Sequence, residues 1–130
     1  MYQEGFPAFS VTTTNNAATA LASIAVPPGE TAIVTAYIVG KRASDGSTYA
    51  SKKEVAAFAD TNGDVTLVGI VSNLLEGLLG FGGLLGLNQP KAQLQAVDGT
   101  VQVTVTGANN STINWEALVE VRRSGSPPTE

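Results

Sequence analysis

The stretch 92–105, AQLQAVDGTVQVTV, constrains the fold more than any other part of the chain. Turned about Asp98-Gly99 as a two-residue loop, it sets Val97 against Thr100, Ala96 against Val101, Leu94 against Val103 and Ala92 against Val105. Gln95 then meets Gln102, and Gln93 meets Thr104. One face is apolar and the other polar, which is the signature of a half-buried antiparallel ribbon. A slip of one residue would send the whole apolar set to the wrong face.

Two further dipeptides carry the same turn chemistry, Asp45-Gly46 and Asn62-Gly63. The first joins residues 32–42 to 47–60. The second predicts Phe58 opposite Leu67, Ala57 opposite Val68 and Val55 opposite Ile70. Both faces of that ribbon are apolar, so its strands are expected to be central or covered. Along 113–123, Ile113, Trp115, Ala117, Val119 and Val121 share one face. Asn114, Glu116, Glu120 and Arg122 share the other, with Leu118 breaking the alternation. Residues 9–14 and 18–26 complete the set, the latter readable as a strand or as a short helix capped by Asn16. Pro27-Pro28-Gly29 ends it in a turn. About eight short strands in 130 residues predict an all-β domain, an antiparallel β-sandwich or jelly roll. The expected organisation is an N-terminal arm over 1–10 and a sandwich over 11–123. An apolar Gly/Leu-rich insertion at 74–87 interrupts the sandwich, and a flexible tail occupies 124–130.

Composition narrows the chemistry. The chain has no cysteine and no histidine, so disulfides and thiol catalysis are out, and the commonest general base and metal ligand are missing. A net charge of −4 argues against a nucleic-acid partner, which calls for a basic footprint. The start, MYQEGFPAFS, lacks the basic and apolar regions of a signal peptide. The apolar stretch 74–87 is too short to cross a bilayer, so no membrane partner is expected.

The motifs that suggest chemistry have plainer readings. Asp60-Thr61-Asn62-Gly63-Asp64 resembles the start of a calcium loop, but its glycine comes two places early and Val71 stands where a bidentate glutamate belongs. A hairpin turn explains the same residues. The glycines of 80–86 match neither a dinucleotide fingerprint nor a P-loop. Glu116 and Glu120 lie on a solvent face, so neither has the burial that tunes a catalytic carboxylate. No serine sits in a nucleophile elbow. No catalytic residue, cofactor or metal ligand is therefore assigned, and the chain is expected not to be an enzyme. The pairs Lys41-Arg42, Lys52-Lys53 and Arg122-Arg123 each split across two strand faces and are expected to protect edges or meet an acidic partner. Asn109 and Asn110 read as a polar turn. Trp115, the only tryptophan, is expected to anchor the core.

Segment 74–87, LLEGLLGFGGLLGL, is expected to be a flexible apolar loop or a helix broken by glycine. An exposed run of leucines is an aggregation hazard, so it is expected to fold over a sheet or to be buried against another subunit. Partner contacts are accordingly placed on Leu78, Leu79 and Phe81, and on the arm residues Tyr2, Phe6 and Phe9.

Three stretches together resemble a known family: TTTNNAATALASIAVPPGETAIVTAYIVGKR, then AFADTNGDVTLVG, then VDGTVQVTVTGANNSTINWEALVEVRR. They are similar to small β-sandwich proteins and modules from the virions of tailed bacteriophages, which serve as capsid decoration (cement) proteins and as tail- or head-fibre domains. The resemblance spans roughly residues 11–123 and departs at 74–87, where a more polar connection is expected. It implies a non-enzymatic structural protein on the outer capsid surface. Its partners would be the major capsid protein and further copies of itself, as a dimer or trimer. The alternative it implies is a fibre or receptor-binding module that recognises a bacterial surface. The matching motifs are structural, so no site residue is carried over from the family.

Overall fold

The computed structural model describes residues 6–80 and 89–124, together with the backbone of residues 2 and 3. Strands β1 (Tyr2–Gln3), β2 (Ala8–Thr13), β3 (Ala18–Ala25), β4 (Thr31–Arg42), β5 (Thr48–Ala59), β6 (Val65–Leu79), β7 (Lys91–Val97), β8 (Thr100–Thr106) and β9 (Ile113–Arg123) follow in chain order, and the described residues contain no helix. Two antiparallel sheets divide them. The larger runs β1-β9-β4-β5-β6, with β2 sharing the outer side of β9 with β1, and the smaller runs β3-β8-β7. β7 packs across β5 and β6, while β3 packs across β2 and β9. Of the two architectures left open, this is the sandwich.

The Asp98-Gly99 hairpin forms in the expected register, from Val97↔Thr100 through Ala92↔Val105. Asp98 takes φ 49°, while Gly99 takes no positive φ, so the loop has two residues but only the first of the two positive values of a type I′ turn. Residues 18–25 are strand, not helix, and pair with β8. β9 alternates as expected: Ile113, Trp115, Val119 and Val121 are fully buried, and Leu118 faces outward.

The Asn62-Gly63 ribbon differs from expectation by one residue. Ala57 meets Leu67, and Phe58 meets Thr66. The cause is Asp60. Its Oδ1 accepts from the amides of Asn62 (2.9 Å) and Asp64 (3.0 Å), and its backbone N–H donates to Asp64 O at 3.0 Å. The loop is therefore wider than two residues. These bonds also engage one oxygen of the first carboxylate that a calcium loop would use. Further along, the β5–β6 register shifts between Glu54 and Ala56 and again between Lys52 and Lys53.

The core lies between the sheets, centred on Trp115. Its indole N–H donates to Thr13 Oγ1 at 3.0 Å, and its ring meets Tyr49 edge-on at 5.5 Å. Gly40 is its direct ladder partner. A Cβ there would stand 2.7 Å from the indole ring, so this position has room only for glycine.

Candidate functional site

β6 is an edge strand. Its fifteen residues span about 50 Å, well beyond the usual five or six. The first half packs inward, with Val65, Leu67 and Val71 against the core. The second half outruns the smaller sheet. Leu74, Leu75 and Leu79 are 51, 62 and 77% exposed, and Ile70 reaches 88%. The expectation of central or covered strands thus holds for β5 and fails for β6. The expected loop or broken helix over 74–87 is corrected for its first part, because Leu74–Leu79 is the distal end of β6 and Leu75–Leu79 pairs with Thr48–Lys52 of β5, while residues 81–87 lie outside the described residues.

Among the described residues this edge carries almost no protection. Natural sheets blunt exposed edges with lysine, proline or a covering element. β6 has a single charged residue, Glu76, and that carboxylate is engaged within the chain. Tyr49 donates its hydroxyl to Glu76 Oε2 at 2.6 Å. That bond, with Lys53 Nζ at 3.4 Å, holds the Glu76 carboxyl below the usual carboxylate range against the opposing pull of partial burial. Burial first, and then the same carboxylate, pushes the Tyr49 phenol well above its ordinary value. The register shifts at Glu54/Ala56 and Lys52/Lys53 are the remaining edge device, since bulges twist a strand away from regular pairing.

The contact residues expected from sequence fall at the two ends of the larger sheet. Leu78 and Leu79 are on β6, 38 and 77% exposed. Phe81 lies outside the described residues. Phe6 is half exposed beside β2. Phe9 is different: it sits partly buried against the core, opposite Ala117. The arm is not free of structure either, because Tyr2 is ladder partner to Arg123 and Ala8 to Leu118. Four strand spacings, about 19 Å, separate the β2 edge from β6. The two groups therefore do not form one patch.

Sequence reasoning missed a second surface. On the outer face of the larger sheet, Ala8, Ser10, Tyr37, Val39, Glu116 and Leu118 line an open groove of about 500 Å³. Lys52 Nζ lies 5.2 Å from the centre of the Tyr37 ring, and Tyr37 donates weakly to Glu120 at 3.4 Å. Leu118, the one break in the β9 alternation, was the signal for this face.

The basic pairs do not protect edges, because β4, β5 and β9 are interior strands. Arg42 bonds Asp45 in the β4–β5 turn, and with the Ser47 amide it holds the Asp45 carboxyl far below its usual range. Arg123 is buried and donates to Ala25 O at 2.9 Å, tying the larger sheet to β3 of the smaller. Lys53 is buried beneath β6.

No family model matches the chain, and no curated protein matches it. Among solved structures it is similar to the crystal structure of the Acinetobacter baumannii phage AM24 tailspike protein. The identity is 13% and the TM-score 0.49 over 93% of this chain. The chain spans 27% of that protein's length.

Proposed function

We propose that this is a non-enzymatic structural protein of a tailed-phage virion, most specifically a decoration protein on the outer capsid surface. The observation that carries the reading is the unprotected leucine edge of β6. A long apolar strand edge with no free charge is a surface that needs a protein partner. The fold behind it is a rigid, doubly layered scaffold whose sequence resembles virion sandwich modules. The role is passive. The protein bridges neighbouring shell subunits, and because it binds the assembled shell and not its free subunits, it stabilises the shell by linkage. Phe6 at the opposite edge supplies a second contact about 19 Å away, which suits a bridging part. The absence of histidine and cysteine, and an outward-facing Glu116 and Glu120, support a protein without catalysis.

The outer-face groove favours a second reading, a fibre or receptor-binding module. Tyr37 offers a half-exposed ring with Glu120 and Lys52 beside it, a pairing suited to a polar, ring-shaped ligand.

Quantitative mass spectrometry of purified particles separates the two. A copy number comparable to the major capsid protein is expected for decoration. A few copies per particle would move the protein to the tail and favour the second reading. Absence from particles would overturn both.

A further inference from the structure

At the root of the exposed half of β6, three side chains close a triangle. Lys53 points inward from β5 and is 7% exposed. Its Nζ donates to Asn73 Oδ1 at 3.2 Å, directly across the ladder, since Lys53 and Asn73 are Cα partners. Asn73 Nδ2 donates to Glu76 Oε1 at 3.3 Å, and Glu76 Oε2 lies 3.4 Å from Lys53 Nζ. An amine therefore rests against a carboxamide, and one carboxylate touches both nitrogens. Those are the nitrogen that would enter an amide exchange and the nitrogen that would leave it. Tyr49 fixes this carboxylate from behind. An ion pair needs only the lysine and the glutamate. It does not explain a carboxamide held between them with its two ends sorted, oxygen to the amine and nitrogen to the acid.

We propose that Lys53 and Asn73 join in an intramolecular isopeptide bond, with Glu76 carrying the protons. The Lys53 ammonium gives a proton to the Glu76 carboxylate. The freed Nζ attacks Asn73 Cγ, and negative charge collects on Oδ1. Glu76 returns a proton to Nδ2 as the Cγ–Nδ2 bond breaks, and the second proton that Nζ sheds passes through Glu76 to the departing ammonia. The Nζ–Cγ bond replaces the Cγ–Nδ2 bond. One ammonium and one carboxamide become one secondary amide and one ammonium ion, with no redox change and no outside reagent. The Glu76 carboxylate starts the sequence as the base, placed within 3.4 Å of the Lys53 amine and 3.3 Å of the Asn73 amide nitrogen. Fixed neighbours of this kind reach effective concentrations of about 10⁵ M or more, which is how a poor nucleophile and a poor leaving group can react without an enzyme. Asn73 is exposed, so ammonia leaves to solvent and dilution makes the step one-way.

The place has a mechanical logic. The β5–β6 ladder is irregular on both sides of Lys53, between Lys52 and Lys53 and between Glu54 and Ala56. A covalent tie there anchors the leucine-bearing end of β6 where backbone pairing is weakest. This inference does not rest on the virion reading, and neither falls with the other.

The test is the intact mass of the purified full-length chain after incubation at neutral pH, followed by peptide mapping. The expected result is a mass about 17 Da below that of the sequence, the loss of one ammonia, with a branched peptide joining Lys53 to Asn73. Lys53→Arg keeps the charge but cannot form the amide, and it should return the full mass. Glu76→Gln should return it too, or slow the loss severalfold. A cyclised Asn62-Gly63 would lose the same ammonia, but that deficit would persist in Lys53→Arg. A wild-type chain at full mass, or a deficit that survives Lys53→Arg, overturns the proposal.

Discussion

β9 and β6 belong to the same sheet and are both long and rich in apolar residues, yet they do opposite things. β9 lies between β4 on one side and β1 and β2 on the other. Its alternate residues Ile113, Trp115, Val119 and Val121 are fully buried, and Asn114, Glu116 and Arg122 face water. Among the described residues β6 has one neighbour, β5, and apolar side chains exposed on both of its faces. The difference is one of position. An apolar residue becomes core when a second sheet covers its face, and the three-stranded sheet runs out before β6 does. What β9 contributes is stability, and what β6 contributes is a surface.

That contrast can be broken most sharply at Trp115. Trp115→Ala empties the centre of the core and should cost about 3–5 kcal/mol. Differential scanning calorimetry would show it as a large fall in Tm. The parallel truncation Leu79→Ala, at a side chain 77% exposed, should cost no more than about 0.5 kcal/mol. Equal costs at the two sites would mean that β6 is part of the core after all.

A smaller effect is expected at Gly40, the ladder partner of Trp115. The added methyl of Gly40→Ala meets the indole at 2.7 Å, so overpacking should cost about 1–3 kcal/mol in chemical denaturation. A neutral result would show that the β4–β9 centre has slack that the structure does not show.

Tyr49 links the two regions, touching Trp115 with its ring and Glu76 with its hydroxyl. Its folded pKa lies above the ordinary value of 10.0, mainly through burial. Stability from this group is present below pH 10. It is lost as pH rises beyond that, because the unfolded chain gives up the phenol proton first. Tyr49→Phe should therefore lower stability near neutrality by about 1–3 kcal/mol for the lost bond to a charged group. It should also lose less further stability than wild type above pH 10. Parallel curves for the two proteins would place Tyr49 in water.

A small effect on the isolated chain, and the largest on assembly, is expected for Leu78→Ser with Leu79→Ser. Folding stability should move by at most about 1 kcal/mol. Incorporation into particles, read by mass spectrometry, should fall steeply. If the variant unfolds instead, β6 does not differ from β9 in the way described.

Much of this was legible one ribbon at a time. The 92–105 pattern gave the β7–β8 register from Ala92↔Val105 to Val97↔Thr100, and the alternation of 113–123 gave the buried face of β9 with Trp115 in it. The Asn62-Gly63 pairing was misread by one residue because the turn is set by the Asp60 side chain, whose two amide bonds widen the loop. Segment 74–79 was misread because glycines and leucines carry no two-residue period. Its strand state comes from β5 beside it. The pairing of the arm was not legible because its partner, β9, lies more than a hundred residues away.

The sequence alone therefore determined the all-β class, most of the turns, the faces of the alternating strands and the tryptophan at the centre. These follow from local backbone preference and from a side-chain period of two, both of which can be read within a dozen residues. Only the tertiary structure decided that β5 is interior and β6 an edge, that Lys53 is buried beneath that edge, and that its amine meets Asn73 and Glu76. Strand order depends on which distant segments close on one another, and the alternation of a strand is the same whether one neighbour lies beside it or two.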